Sequence, residues 1–282
     1  MLLSEAIRNS GMTPPEHIPT DRWVRFPGIG KGKANRSGWC RMISATLAVF
    51  GDWSSDMKAT WTDDSRSVDA ATIRAANQAH RDAQLIFRRQ QKATQDSAAS
   101  QAQAMLDRAT PAIHPYLARK GFPELMGLVL DGNLLIPMRA EAGPQWEMCS
   151  VQSITPDGGK RFLFGGRAKG AIHRLGSLAA KRVVLCEGYA TGLSIKAALD
   201  KLPYTHAVIV CFSASNLVYM AKTFPRAVVC ADNDASCTGE QAAIASGLKW
   251  TMPYEIGTDF NDLHVNMGIY VVVERMRELF SG

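Results

Sequence analysis

From Lys181 onward, short apolar runs alternate with helical stretches: VVLCEG, TGLSIKAALDKL, HAVIVCFS, NLVYMAKTF, AVVCADND and TGEQAAIASGL. Near-continuous apolar runs are what strands buried on both faces look like, and a helix between successive strands is the crossover that parallel pairing requires. This part of the chain therefore predicts an α/β fold with a central parallel sheet flanked by helices. YVVVERMRELF is expected to close it as a terminal helix despite its valines. In such sheets ligands gather at the carboxyl ends of the strands, so the polar residues that end these runs become the candidate site.

Those ends repeat one chemical type. Glu187 follows VVLC, Asp232 and Asp234 follow AVVCA, and Asp259 and Asp262 lie in GTDFNDL. Carboxylates from adjacent parallel strands converge, and crowding them is costly unless a cation neutralises them. All five are therefore candidate metal ligands, with Glu187, Asp232 and Asp234 as candidate catalytic residues. The expected ion is Mg²⁺, with Mn²⁺ as a substitute. Magnesium is usually held by one or two carboxylates plus substrate phosphates, which points to phosphoryl transfer. Asp234 taken alone reads equally well as a helix cap, but the set does not.

Charge distribution supports a polyanionic ligand. Lys and Arg number 32 against 26 Asp and Glu, a formal net charge of +6. More telling, Lys160, Arg161, Arg167, Lys169, Arg174, Lys181 and Arg182 fall between Gly158 and Arg182 with no acid among them, while the chain beyond Val183 is slightly acidic. Unopposed cations beside acids suggest a phosphate-binding groove next to a metal site.

Upstream, RWVRF and GWCRMISATLAVFGDW read as strands of a small β-rich module, broken by GIGKGK. That tract lacks the G-x-x-x-x-G-K-[ST] spacing of a phosphate loop and is expected to be a solvated basic hairpin. Val68 to about Ala109 is rich in Ala, Gln, Arg and Asp, which favours a long helix, with an interruption expected at Ser97–Ser100. Pro111 is expected to end it. HPYLARKGFPE then forms a short amphipathic helix closed by Gly121, and NLLIPMRA, WEMCSVQSI and KRFLFGG form strands, the last two joined by a turn at PDGG. Phe162 and Phe164 alternate with cations and could stack bases, but strand alternation sends both to one face, where core burial is expected. The expected divisions are residues 1–68, 69–110, 111–179 and 180–282.

Several classes are excluded. A chain of 282 residues that is 46% hydrophobic and 21% charged buries a sizeable core and is not disordered. No apolar run is long enough to span a bilayer and no signal-like segment opens the sequence, so the expected setting is cytoplasmic, without a membrane partner. The cysteines Cys40, Cys149, Cys186, Cys211, Cys230 and Cys237 contain no C-x-x-C pair, so reduced thiols and no zinc site are expected.

VVLCEGYATGLS resembles the EGYATA motif of plasmid and phage primases, and with ADND and GTDFNDL it resembles a Toprim domain, the fold of bacterial primases, type IA and II topoisomerases and OLD-type nucleases. HPYLARKGF, LLIPMR and KRFLFGGRAKGAIHRLG resemble the segment that precedes Toprim in those primases. The resemblance runs from roughly Ile113 to Leu263. It implies Glu187 as general acid or base or metal ligand, Asp232 and Asp234 as the metal-binding D-x-D, and Asp259 and Asp262 as acids of the third motif. It further implies that Lys160, Arg161, Arg167 and Lys169, with Arg139 and Arg174, contact template and incoming nucleotide. Three departures stand out. Thr191 occupies the position where replicative primases carry a second acid, leaving one fewer possible ligand. Gly192 replaces Ala, and SASNL replaces a GNL-containing stretch, neither of which is expected to touch the chemistry.

The resulting expectation is a Toprim domain preceded by a basic α+β subdomain and a β-rich N-terminal module. It would act as a DNA-directed RNA polymerase of primase type, using Mg²⁺ and NTPs on single-stranded DNA, with any replicative helicase on a separate chain. Two alternatives stay open: a Toprim nuclease, and a non-catalytic single-stranded nucleic-acid binder.

Overall fold

The structure is a computed structural model that describes residues 1–20, 22–55, 57–63, 70–177 and 179–281. The expected helix start at Val68 lies outside them. The chain divides into two compact units, Met1–Arg89 and Gln90–Gly282.

The first unit begins with a helix absent from the sequence expectations, α1 (Leu3–Asn9), followed by β1 (Val24–Phe26), β2 (Gly38–Ser44), β3 (Leu47–Asp52) and β4 (Met57–Thr62). The strands pair antiparallel in chain order. Phe26, Cys40, Phe50 and Trp61 pack with Leu3, Ile7 and Met12 from the helix side, so α1 supplies the apolar face that a four-stranded sheet cannot bury alone. GIGKGK lies in the β1–β2 connection with Lys31 and Lys33 exposed, as a basic hairpin should.

Helix α2 (Ala70–Arg108) runs unbroken through Ser97–Ser100, contrary to expectation. Ser100 Oγ donates to the Asp96 carbonyl at 3.1 Å, which lets a serine sit mid-helix, and Ala98 and Ala102 are buried. The helix ends at Arg108, three residues ahead of Pro111, which itself lies inside the next strand. The second unit continues with β5 (Thr110–Ile113), α3 (Pro115–Arg119), β6 (Met126–Leu130), β7 (Asn133–Ala142), β8 (Gln145–Ile154), β9 (Lys160–Phe162) and β10 (Ala171–Gly176). Then come β11 (Arg182–Cys186), α4 (Tyr189–Leu199), β12 (His206–Val210), α5 (Ala214–Ala221), β13 (Val228–Cys230), α6 (Thr238–Ser246), β14 (Lys249–Thr251), α7 (Phe260–Met267) and α8 (Ile269–Ser281).

One ten-stranded sheet contains all the strands of this unit, in the order β14-β13-β11-β12-β10-β7-β6-β5, with β8 pairing β7 and β9 pairing β8. The pairs β11–β12, β11–β13 and β13–β14 are parallel, and β10 joins them antiparallel to β12. Period-two alternation distributes the parallel strands between two cores. Val184, Cys186, Val208, Val210, Val228 and Cys230 point to the side carrying α4 and α8. Leu185, Ile209, Cys211, Val229 and Ala231 point to the side carrying α5 and α6. Cys186, Cys211 and Cys230 are fully buried free thiols in these layers.

Candidate active site

Strands β11 and β13 are adjacent and parallel, so the residues that follow them emerge at one edge of the sheet. Glu187 follows the first directly; Asp232 follows the second after Ala231. Asp232 carries the strongest sign of a site. Its Oδ1 is buried without a hydrogen-bond partner, and its carboxyl is pushed up to about 7, first by burial and then by the charges of Asp259 and Glu187, with Lys160 acting in the opposite direction. Glu187 is also held above its ordinary range by burial and by Asp234, against a stabilising hydrogen bond from the Ala214 amide. Ala214 belongs to the SASNL stretch, which thus touches Glu187 through a backbone amide.

Asp234 behaves in the opposite way. Its oxygens accept from the Ser236 hydroxyl and from the amides of Ser236 at 2.9 Å, Thr238 at 3.3 Å and Gly239 at 3.0 Å, and its carboxyl is lowered to about 2, chiefly by Ser236. An acid whose proton is held more tightly than usual thus stands two residues from one that gives it up readily, and both are half-buried.

The third motif reaches this edge through backbone stapling. Asn233, between the two aspartates, donates its amide to the Thr258 carbonyl at 3.0 Å and its side-chain Nδ2 to the Pro253 carbonyl at 3.0 Å. Asp259 caps α7, with Oδ1 accepting the amides of Asn261 at 2.7 Å and Asp262 at 2.9 Å. Its Oδ2 accepts the Thr191 hydroxyl at 2.9 Å. The residue that stands in place of a second acid is therefore a donor orienting Asp259. Asp262 completes the capping box by accepting the Asp259 amide at 3.0 Å and lies 3.9 Å from Lys120 Nζ.

The four carboxylates Glu187, Asp232, Asp234 and Asp259 are thus linked by their mutual fields, whereas Asp262 serves the helix cap. Among the described residues, no three His, Cys, Asp or Glu side chains are gathered as a ready-made metal cage. The donor set still fits a divalent cation: a buried, unpartnered carboxylate oxygen amid negative charge is what such an ion would satisfy, and magnesium needs only one or two protein carboxylates.

The candidate cations separate. Lys160, at the start of β9, is the one whose charge reaches Asp232. Arg167 is folded onto its own loop, donating to the carbonyls of Lys169 at 3.0 Å and Glu141 at 3.2 Å. Lys169 lies 5.2 Å over the Tyr219 ring. Arg161 is exposed on β9. Arg139 and Arg174 instead line a cavity of about 260 Å³ with Pro137, Trp146, Ile172 and His173.

Phe162 and Phe164 are not in the core: they are 49% and 94% exposed. All three residues of β9 are exposed, and the inward position falls just beyond the strand on Leu163, which packs against the cluster of Ala102, Leu135 and Val151. β9 is moreover a three-residue strand paired, among the described residues, on one side only.

Three positioning residues escaped the sequence reading. Asn233 has just been described. Buried Asn216 accepts the Gly170 amide at 2.7 Å and donates to the carbonyls of Ala171 at 2.7 Å and Cys211 at 2.8 Å, fixing the loop of Lys169. A Cβ on Gly239 would stand 2.2 Å from the Asp232 carbonyl oxygen, so glycine is required there. Gly239, five residues beyond Asp234, was visible as a small residue at a helix start, but only the fold shows what it touches.

Residues 182–269 match the Toprim domain family. Two DNA primases TraC of Escherichia coli are each 34% identical to the chain, one over 158 residues (52% of this chain, 14% of the relative) and one over 115 residues (38% and 7%). The chain therefore spans a small fraction of the curated relatives it matches. The primase fragment of the bacteriophage T7 primase-helicase protein superposes with a TM-score of 0.41 at 16% identity, covering 57% of this chain and 69% of that one. Toprim domains generally bind divalent metal, in keeping with the orphaned oxygen of Asp232. Residues 182–269 are a Toprim domain, whose acids stand where its parallel strands end.

Proposed function

We propose that this chain is a primase, synthesising short RNA primers on single-stranded DNA from NTPs with Mg²⁺. The observation that carries the reading is Asp232: a buried carboxylate with an unpartnered oxygen, surrounded by Glu187, Asp259 and Asp234 and countered by Lys160. Asp232 and Asp234 would hold the ion, with Glu187 or Asp259 completing the set. When bound, the ion would supply charge neutralisation at the triphosphate and lower the pKa of the primer 3′-hydroxyl. Glu187, held above the ordinary carboxylate range by burial and by Asp234, is suited to take that hydroxyl's proton. Lys160 attracts phosphate to the same edge, and Thr191 keeps Asp259 facing it. Arg161, Arg167 and Lys169 neutralise template phosphates, and Arg139 and Arg174 contribute from their cavity.

The test is incubation with single-stranded DNA, labelled NTPs and Mg²⁺. Oligoribonucleotides that disappear with EDTA and with Asp232→Asn are the expected result. Product that persists in the variant refutes the assignment, and metal-dependent cutting of DNA without NTPs favours a nuclease instead.

A further inference from the structure

The turn after β9 displays an aromatic side chain that the fold has not buried. Gly166 N donates to the Leu163 carbonyl at 3.1 Å, closing a four-residue turn with Phe164 near its apex, and Gly165 adopts a left-handed φ of +77°. Both glycines are pressed against neighbours: a Cβ on Gly165 would stand 2.7 Å from Thr94 Cγ2, and one on Gly166 2.2 Å from Ser150 Oγ. The apex is therefore fixed against α2 and β8, holding Phe164 94% exposed. Two residues earlier Phe162 is 49% exposed, with its ring edge-on to Phe212 at 6.0 Å. Phe212, itself at a left-handed φ of +66°, donates its amide to the Glu187 carbonyl at 2.9 Å. The aromatic path thus runs from the turn to the acidic edge.

Single exposed apolar residues are ordinary on protein surfaces. Here two aromatics lie two residues apart, one on a rigid turn, in a segment whose neighbours Lys160, Arg161, Arg167 and Lys169 are unopposed by any acid between Gly158 and Arg182. Cations track a phosphate backbone and aromatic faces receive bases, and that combination is the chemistry of single-strand recognition. We propose that Phe162 and Phe164 form a ledge on which successive nucleobases of a single strand stack, leading the strand toward Glu187 and Asp232. The ledge rests on the nucleic-acid reading above and adds to it a contact to bases as distinct from phosphates.

The experiment compares two fluorescein-labelled 12-mers of equal charge, oligothymidylate and a fully abasic strand, titrated by anisotropy against the full chain at fixed salt. Wild type should bind the thymidylate about tenfold tighter or more, since each stacked base contributes on that order. Phe164→Ala and Phe162→Ala should each erode that ratio severalfold while leaving abasic binding and the thermal transition unchanged. Phe164→Trp should retain the preference, and Phe164→Leu, apolar but without a ring, should lose it. Equal binding of both strands by wild type, or an unchanged ratio in Phe164→Ala, overturns the ledge and leaves the primase reading standing. Failure of wild type to bind either strand overturns both.

Discussion

At the scale of single residues, Asp232 and Asp234 show how neighbouring positions acquire opposite chemistries. Burial and nearby acids raise the first to about 7; the Ser236 hydroxyl and the amides that begin α6 hold the second at about 2. The folded pKa of Asp232 lies above the unfolded value of 3.8. The folded protein therefore binds this proton more tightly, and stability falls as pH rises from about 4 to about 7, with the cost fully present above that. Without divalent metal, Asp232→Asn should match wild type near pH 4 and exceed it at pH 8 by about 2–4 kcal/mol in urea denaturation, while losing primer synthesis. A wild type equally stable at both values would refute the account. Thr191 offers a milder test. Thr191→Val keeps the volume but removes the bond to Asp259, which should cost about 1–2 kcal/mol and lower activity through a disordered Asp259. An unchanged metal titration in that variant would show that Asp259 needs no such orientation.

At the scale of elements, close approach decides what the strands and helices may carry. A Cβ on Gly239 would run into the backbone of Asp232, so Gly239→Ala should displace the D-x-D turn and abolish activity while the thermal transition drops by only a few degrees. A Cβ on Gly192 would stand 2.8 Å from Val210 Cγ2, so Gly192→Ala should destabilise by about 1 kcal/mol despite the gain in helix propensity. The helices and strands after Lys181, apart from β14 and α7, were legible because burial on both faces leaves an unbroken apolar run with polar punctuation. Strands β5 and β6 were not, since TPAI and MGLVL are short and one contains proline. The setting of β9 was equally hidden, because alternation assumes that one face lies on a core, whereas all three of its residues are exposed. Ser97–Ser100 misled because propensity penalises serine without seeing that Ser100 bonds back to the preceding turn. Of the site, the acids were readable from their strand-end positions. Asn233, Asn216 and Gly239 were not, because their roles depend on backbone atoms distant in sequence.

At the scale of the whole molecule, the excess of cations sets a measurable electrostatic signature. Affinity for single-stranded DNA should fall linearly on a double-logarithmic plot against salt, and replacing Lys160, Arg161, Arg167 or Lys169 by alanine should each lower the slope by roughly 1 or slightly less. A slope unaffected by all four would remove this segment from the binding surface.

Strand β10 has a consequence for how the two groups of charged residues are held. It is hydrogen-bonded to β7 on one side through Ala171 and Ile172, and to β12 on the other through His173 to Gly176. The segment that carries the cations and the segment that carries the acids are consequently joined end to end along one strand, the change of partner falling between Ile172 and His173. A nucleic acid gripped by the first segment would therefore meet the second within the length of a single strand.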